Sequence, residues 1–313
     1  MARISNHFCR IIGIVPNRSF LKTIIYILIL SCICRHGVAQ QIADSEFEVP
    51  LFTSKYLRGE GPIVYVDEAH FNFHTLEGKY KPFGTVLEKD GYDVRPFSQK
   101  FTKSSLSKAR ILVIANAMAD TSNWELPTKS AFTIEEIASI KSWVNEGGSL
   151  FLIADHMPAA GASANLGHAF GFGFINGYLY NYKTFDDIDI YYRKDSTLSD
   201  TPLTTDIDSI ATFNGQAFII PSDARSILNI ARDYIIFLPS EVGKINGSLT
   251  PKFYAQGLSQ GAYLRYGKGK VVVFGEAGMF SAQNSNTFKI GMNNERAGQN
   301  YQLLLNIIHW LDD

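Results

Sequence analysis

The sequence predicts an open, mostly parallel α/β sheet with an inserted antiparallel excursion. Short, wholly apolar runs such as Leu150–Ala154 are typical of strands that are covered on both faces. Helical patterns alternate with these runs through short connections, as in parallel α/β folds. From about residue 178 to residue 259 the pattern changes to short mixed segments rich in Asp, Thr and Asn, which indicates the antiparallel excursion.

The first half of the predicted domain alternates strands and helices. The domain begins at Gly61-Pro62, after an extended polar lead-in over residues 40–60. Its β-branched and apolar runs predict strands over 63–67, 92–94 and 111–115, with a helix over 82–89 between the first two. Successive strands joined through helices are expected to pair in parallel.

A helix beginning after Thr133 is the best determined element. Thr133 and Glu136 have the spacing of a capping box, and Gly147-Gly148 supply a left-handed stop. The all-apolar run at 150–154 follows at once, which completes a βαβ unit. The remaining predicted elements are a helix over 159–170, strand-like pieces at 217–220 and 234–237, a buried strand over 271–274 and a closing helix over about 300–311.

The N-terminal segment has the pattern of an export signal. A basic start without acidic residues precedes an apolar run over 23–34, and Gly37-Val38-Ala39 supplies a small-residue cleavage site. Cleavage after Ala39 predicts a periplasmic or secreted protein with a signal peptide over 1–39 and one domain over 61–313. This twelve-residue run falls short of the roughly 20 residues that span a bilayer, so no transmembrane span is expected after cleavage. The alternatives are a lipoprotein acylated at Cys32 and an uncleaved anchor.

Composition excludes several classes of function. The three cysteines, Cys9, Cys32 and Cys34, all precede the predicted cleavage site, which excludes thiol chemistry and disulfides in the mature chain. Removing residues 1–39 takes away five Lys/Arg and no acid, leaving 24 basic and 30 acidic residues and a charge of −6. A mildly acidic surface does not indicate a nucleic-acid partner.

Polar side chains follow the predicted buried strands. Ligands of open parallel sheets bind outside the carboxyl ends of the strands, so these positions form the candidate site. They are Asp67, Glu68, His70 and His74 after the first strand, Asn116 after the third, Asp155 and His156 after the fourth, and Glu276 after the last. We expect catalysis from Asp155, His156 and Glu276, and ligand binding or orientation of the imidazoles from Asp67, Glu68 and Asn116.

Three interpretations of the histidines stay open. His70, His74 and His156, with neighbouring carboxylates, have the chemistry to bind zinc or manganese, and a catalytic zinc would keep one position for water. The same residues could instead form a metal-free polar pocket in which Asp155 and His156 act as acid and base on a bound water. Purely structural roles, such as capping of helices and packing of loops, are the third interpretation.

Three segments resemble the class I glutamine amidotransferase-like superfamily, and within it an exported branch of unknown function. They are residues 66–75, 147–156 and 267–280. The resemblance covers most of the mature chain and implies a flavodoxin-like three-layer sandwich. The superfamily places a cysteine nucleophile at the turn where this chain has Asp155-His156, so the resemblance implies no glutaminase activity and no catalytic triad here.

The sequence therefore predicts a class of function. We expect an exported domain whose polar pocket binds, or hydrolyses, a small polar or carbohydrate-like ligand. The competing interpretation is a non-catalytic binding or scaffold domain of the cell envelope, with a protein as its partner. A concave cleft joining His70, His156 and Glu276 would favour small-molecule chemistry, and a flat edge with exposed aromatic residues would favour protein binding.

Overall fold

Five parallel strands form one side of the largest sheet. The computed structural model describes residues 41–122, 124–186, 188–286 and 288–313, so the predicted signal peptide lies outside the described residues. The helices are α1 (Lys81–Lys89), α2 (Ile134–Asn145), α3 (Ala159–Ala169) and α4 (Asn300–Asp312). The strands are β1 (Ile42–Ala43), β2 (Ile63–Asp67), β3 (Asp93–Phe97), β4 (Ile111–Ala115), β5 (Ser149–Ile153), β6 (Gly173–Phe174), β7 (Tyr178–Asn181), β8 (Asp189–Tyr192), β9 (Ser209–Thr212), β10 (Phe218–Ile219), β11 (Arg225–Asn229), β12 (Tyr234–Phe237), β13 (Lys252–Tyr254), β14 (Ser259–Tyr266), β15 (Gly269–Phe274), β16 (Ala282–Ser285) and β17 (Phe288–Gly291).

The parallel strands lie in the order β3-β2-β4-β5-β15, and antiparallel strands extend the sheet through β14 to β10 and β6. Strand β11 pairs separately with β14. The fold is therefore mixed α/β with a large, mostly parallel sheet, as the sequence predicts. Three smaller sheets are antiparallel: β1-β16-β17, β13-β12-β7 and β8-β9.

Apolar side chains cover both faces of the parallel strands. Alternate residues of a strand point to opposite faces, so Phe151 joins the cluster that contains α1 and α4, while Leu150 and Leu152 join the cluster that contains α2 and α3. All five residues of β4 and of β5 are buried. This two-sided burial explains why these strands read as continuous apolar runs.

The predicted capping box at the start of α2 is present. The Glu136 backbone N–H donates to Thr133 Oγ1 at 3.2 Å, and Glu136 Oε2 accepts from the Thr133 backbone N–H at 3.0 Å. These bonds satisfy amides that have no partner within the helix. Helix α2 ends before Gly147, whose φ of +124° favours glycine. Within the described residues, no helix is long and apolar enough to cross a membrane.

Candidate functional site

A cavity of about 590 Å3 opens at the carboxyl edge of the parallel strands. Loops after four of these strands contribute to its wall, because the carboxyl ends of parallel strands meet at one edge. Five of the residues predicted from the sequence line it: His74 after β2, Asn116 after β4, Asp155 and His156 after β5, and Glu276 after β15. The cavity volume falls in the range of small-molecule sites.

Asn116 organises the centre of the cavity. It follows β4 directly and has a φ of +46°, which non-glycine residues adopt at an energetic cost that asparagine tolerates best. Its Oδ1 accepts from the Asp155 backbone N–H at 2.8 Å, and its Nδ2 donates to His74 Nδ1 at 3.3 Å. Asn116 therefore links the loops that follow β2 and β5.

Asp155 is the carboxylate that the cavity leaves accessible. Its side chain is 15% exposed. Its Oδ1 accepts from the His156 backbone N–H at 2.7 Å, and its Oδ2 accepts from the Ala277 backbone N–H at 3.4 Å. The N-cap position of α3 is Pro158, so Asp155 does not cap that helix as one sequence interpretation supposed. Its carboxylate is held by its own turn and by the turn after β15.

His156 offers one ring nitrogen to the cavity. Its Nδ1 lies 2.8 Å from the Met157 carbonyl oxygen, which can only accept, so Nδ1 carries the proton. In the neutral ring the lone pair is then on Nε2, which lies 3.9 Å from Asp155 Oδ1. The ring packs on Tyr178 with centroids 4.7 Å apart, and the side chain is 41% exposed. This tautomer suits a general base.

Glu276 is buried beneath Asp155. Its carboxylate accepts three backbone N–H groups, from Met279 at 2.8 Å, from Phe213 at 3.2 Å and from Gly278. Burial and then the nearby Asp155 charge raise the pKa of Glu276 well above its ordinary value, against the three backbone donors, which lower it. Glu276 therefore fixes the loops around Asp155 through these three hydrogen bonds.

The loop that contains Phe213 reaches the site because Gly215 permits close approach. Gly215 has a φ of +98°, and a Cβ there would lie 2.3 Å from the Gly275 carbonyl oxygen. The neighbouring Gln216 donates from Nε2 to the Ala154 carbonyl oxygen at 2.8 Å. The excursion is thereby attached to the ends of β5 and β15.

The loop after β2 contributes a neutral imidazole and a lysine. Burial, and secondarily the Lys79 charge, lowers the pKa of His74 to about 3, so His74 stays neutral and accepts from Asn116. Burial also lowers the pKa of Lys79, although the Asp155 carboxylate raises it in part. Lys79 Nζ donates to Gln41 Oε1 at 3.2 Å and lies 4.2 Å from the Phe73 ring centroid. A lysine of lowered pKa therefore lines the same cavity as Asp155.

Sequence reasoning missed the apolar side chains of the wall. Four of these residues lie in loops and three lie on strands β7 and β17. The loop residues are Phe73, Met118, Trp124 and Phe213, and the strand residues are Tyr178, Phe288 and Ile290. Three of the rings are partly exposed: Phe73 at 53%, Trp124 at 39% and Phe288 at 37%. Following the loops after β2 and β4 beyond the first polar residue would have found Phe73, Trp124 and Lys79, whereas Phe288 lies on β17.

Three predicted residues lie outside the cavity. His70 is buried, with Nδ1 2.9 Å from Asp67 Oδ1 and Nε2 3.1 Å from Glu136 Oε1, and its ring stacks on Phe101 at 4.7 Å. Burial lowers the pKa of His70, but the hydrogen bonds and charges of Asp67 and Glu136 outweigh burial and raise it. Glu68 Oε1 accepts from the Leu76 backbone N–H at 2.7 Å and does not contact an imidazole within the described structure.

His70, His74 and His156 therefore do not form one ligand set. Two carboxylates occupy both ring nitrogens of His70, and Asn116 occupies Nδ1 of His74. Among residues 41–122, 124–186, 188–286 and 288–313, no group of three or more His, Cys, Asp or Glu is arranged to hold a metal ion. The cleft joins His156 and Glu276, as expected, but His74 takes the place predicted for His70.

The similarity of this chain to known proteins is one of architecture. No protein-family model and no curated protein matches the sequence. The N-terminal domain of mmIFT52 is similar in structure, at 12% identity, with 80% of this chain and 97% of that chain covered and a TM-score of 0.57. The shared property is the fold.

Two further solved structures match over similar lengths. The cytoplasmic protein STM1381 from Salmonella typhimurium LT2 has 12% identity, covers 80% of this chain and 100% of its own, and has a TM-score of 0.49. A ThuA-like protein from Bacteroides uniformis has 12% identity, covers 84% and 95%, and has a TM-score of 0.44.

Proposed function

We propose that this chain is an exported hydrolase that removes an ester group from a small, polar, carbohydrate-like substrate. The observation that carries the proposal is the His156 side chain. Its proton is held on Nδ1 by the Met157 carbonyl oxygen, its side chain is 41% exposed in the cavity wall, and its Nε2 lies 3.9 Å from Asp155 Oδ1. A fixed tautomer with a free basic nitrogen beside a carboxylate is the arrangement that activates water.

In the proposed reaction, a water molecule occupies the gap between His156 Nε2 and Asp155 Oδ1, which is too long for a direct hydrogen bond. His156 removes a proton as the water oxygen bonds to the ester carbonyl carbon. The imidazolium, stabilised by Asp155, returns that proton to the leaving oxygen as the ester C–O bond breaks. Lys79 supplies positive charge for the oxyanion that develops between these steps.

The arrangement of the carboxyl groups favours an ester over a glycosidic bond. Glycoside hydrolysis uses two carboxyl groups on opposite sides of the scissile bond. Asp155 and Glu276 instead accept N–H groups from the same turn, at Ala277 and at Gly278 and Met279, so they approach the cavity from one side. A single histidine that takes and returns one proton is sufficient for ester cleavage.

The proposal includes the compartment, the fold family and the absence of a required metal. Export is inferred from the pattern over residues 1–39, with acylation of Cys32 as the alternative route to the envelope. We also propose that the sheet is a flavodoxin-like sandwich of an exported branch of the amidotransferase-like superfamily. Catalysis through His156 needs no zinc or manganese ion, because the base is the imidazole itself.

The test is acetate release from acetylated xylo-oligosaccharides and from p-nitrophenyl acetate. Loss of a general base costs about 10²- to 10⁴-fold in rate, so His156→Asn should lose at least about 100-fold. His168→Asn is the matched control, because His168 is an exposed histidine outside the cavity. His168→Asn should keep wild-type turnover. This result would show that the loss in His156→Asn does not come from non-specific reaction of an exposed histidine with the ester.

Three results would count against the proposal. Equal turnover by His156→Asn and wild type would exclude His156 as the base. Binding of the oligosaccharides without acetate release would favour the non-catalytic binding domain, which the partly exposed Phe73 and Trp124 rings also suit. Turnover of p-nitrophenyl glycosides in place of acetates would overturn the choice of an ester.

A further inference from the structure

A second concave surface lies on the small sheet β13-β12-β7. We call it the aromatic groove. It has a volume of about 640 Å3 and is lined by Tyr180, Tyr182, Phe185, Ile235, Phe237, Ile245, Gly247, Lys252, Phe253 and Tyr254. Strand pairing explains the concentration of side chains, because Tyr180 lies opposite Ile235, and Ile235 lies opposite Tyr254, so the three share one face.

Large rings in this groove are exposed to water. Tyr254 is 70% exposed, Phe185 is 57% exposed and Phe253 is 40% exposed. The Tyr182 and Tyr254 rings pack edge to face, with centroids 5.9 Å apart. Clustered exposed aromatic side chains are unfavourable in water unless a ligand covers them, so a contiguous patch of this kind marks a binding surface.

The groove continues from the cavity of the proposed active site. Tyr178, Tyr180 and Tyr182 alternate along β7 and its end, and alternate residues of a strand share a face. Tyr178 packs on His156 in the cavity, whereas Tyr180 and Tyr182 line the groove. Four residues at about 3.4 Å each place Tyr182 about 14 Å along the strand from Tyr178.

The loop after β12 also lines first the cavity and then the aromatic groove. Val242 and Gly243 line the cavity, and Ile245 and Gly247 line the groove. The Gly243 backbone N–H donates to the Tyr178 hydroxyl at 2.8 Å, which fixes the loop to β7 where the two concavities meet. A row of rings and a loop therefore lead from His156 to Tyr254.

From this continuity we infer that the aromatic groove binds the linked sugar rings of a neutral oligosaccharide whose end unit occupies the cavity. Sugar rings have apolar faces that stack on aromatic side chains and hydroxyl edges that hydrogen-bond, and tyrosine offers both surfaces. No carboxylate lines the groove within the described structure, and the ammonium of Lys252 lies 5.3 Å from the Phe237 ring centroid. The inference rests on the proposed function for its choice of substrate class.

The aromatic groove suits a narrow ligand chain better than it suits a protein surface. Stable protein partners cover about 800 Å2 on each side and use broad patches. The aromatic groove is concave and runs toward the cavity along one strand, so a ligand in the cavity can extend into it without leaving the surface. A second copy of this chain is the occupant that the experiment must separate from a sugar chain.

The experiment measures binding of unacetylated xylo-, cello- and chito-oligosaccharides of increasing length by calorimetry. In wild type, the Kd should fall at least about tenfold from the disaccharide to the hexasaccharide of one series. Tyr254→Ala and Phe185→Ala should lose that gain and leave disaccharide binding unchanged, and Tyr254→Trp should restore it. Ile134→Ala is the control, because Ile134 is 82% exposed on α2 and is outside both concavities.

The outcomes separate this inference from the ester hydrolase. Absence of a length-dependent gain in affinity in all three series would overturn the inference that the groove binds sugar chains. The same gain in Tyr254→Ala as in wild type would also overturn it. A wild-type dimer in sedimentation that Tyr254→Ala abolishes, with no sugar gain, would also overturn it. If affinity still rises with oligosaccharide length but no acetate is released, the proposed hydrolase activity would be rejected. The groove would then stand as an oligosaccharide-binding site.

Discussion

Replacing Asp189 with asparagine should stabilise the protein at neutral pH and have less effect in acid. Asp189 begins β8 and is 4% exposed. Its Oδ1 accepts from the Tyr234 hydroxyl at 2.8 Å, and its Oδ2 has no hydrogen-bond partner within the described structure. Burial raises the pKa of Asp189 to about 6, although the Tyr234 hydrogen bond lowers it in part.

The expected magnitude follows from linkage between protonation and folding. A carboxyl whose folded-state pKa is raised contributes its stability below the unfolded value of 3.8 and loses it as pH rises through about 6. At 1.36 kcal/mol per pKa unit, the difference between 3.8 and about 6 corresponds to a loss of about 3 kcal/mol above pH 7. About 2 kcal/mol of this loss should fall between pH 4.5 and pH 8. Asparagine keeps the Oδ1 acceptor and never ionises.

The assay is urea unfolding followed by tryptophan fluorescence at pH 4.5 and pH 8. The free energy of unfolding of Asp189→Asn minus that of wild type should rise by about 2 kcal/mol between these pH values. Asp223→Asn is the matched control, because it changes the same group at an exposed position. An identical difference at both pH values would refute the reasoning and would mean that Asp189 is ionised and solvated in the folded protein.

Three further predictions concern individual contacts. His70→Gln should cost about 3 kcal/mol or more, because it leaves Asp67 and Glu136 without a charged partner. Since the pKa of His70 is raised, its contribution is full below about 6.5 and is lost as pH rises through the folded value, so urea unfolding should show a larger penalty at pH 5.5 than at pH 9. Thr133→Ala should cost about 1 kcal/mol through loss of the capping box, which thermal unfolding at fixed pH would detect, and Ser139→Ala on the exposed face of α2 serves as its control. Long-range ¹H–¹⁵N NMR should show His74 neutral with its proton on Nε2 from pH 8 to pH 5, and a His74 signal that titrates near pH 6.5 would contradict its burial against Asn116.

The sequence predicted the parallel strands and their helices because their signals are local. The runs at 63–67 and 111–115 coincide with β2 and β4, since strands buried on both faces have no polar alternation to obscure them. The start of α2 was predictable for a similar reason, because a capping box is encoded by two residues three positions apart.

Pairing in the antiparallel region was not predictable from local patterns. Strand β10 has only two residues, and both β10 and β11 join the main sheet by pairing with β14. Such pairing between segments that are far apart in sequence is not encoded in the periodicity of either segment. The same limit applies to β16, which pairs with β1 near the start of the described chain, and to β17, which pairs with β16. Their contribution to the cavity wall was therefore missed.

The candidate site was likewise predictable only in part. The rule that ligands bind at strand ends correctly brought His74, Asn116, Asp155, His156 and Glu276 to one cavity. The rule could not say which way a side chain turns within its loop. His70 turns toward Asp67 and Glu136 because Phe101 and Phe132 form an apolar pocket around its ring, and both rings come from distant parts of the chain.

A crystal structure of Asp155→Asn soaked with an acetylated xylo-oligosaccharide tests the central claim most directly. The substitution keeps the shape of the carboxyl group and removes the charge that would stabilise the imidazolium, so the ligand should remain intact. We predict that the ester carbonyl carbon lies within reach of a water molecule on His156 Nε2, with the sugar chain directed toward Tyr180. A ligand bound elsewhere, with the cavity beside His156 filled only by water, would contradict the account.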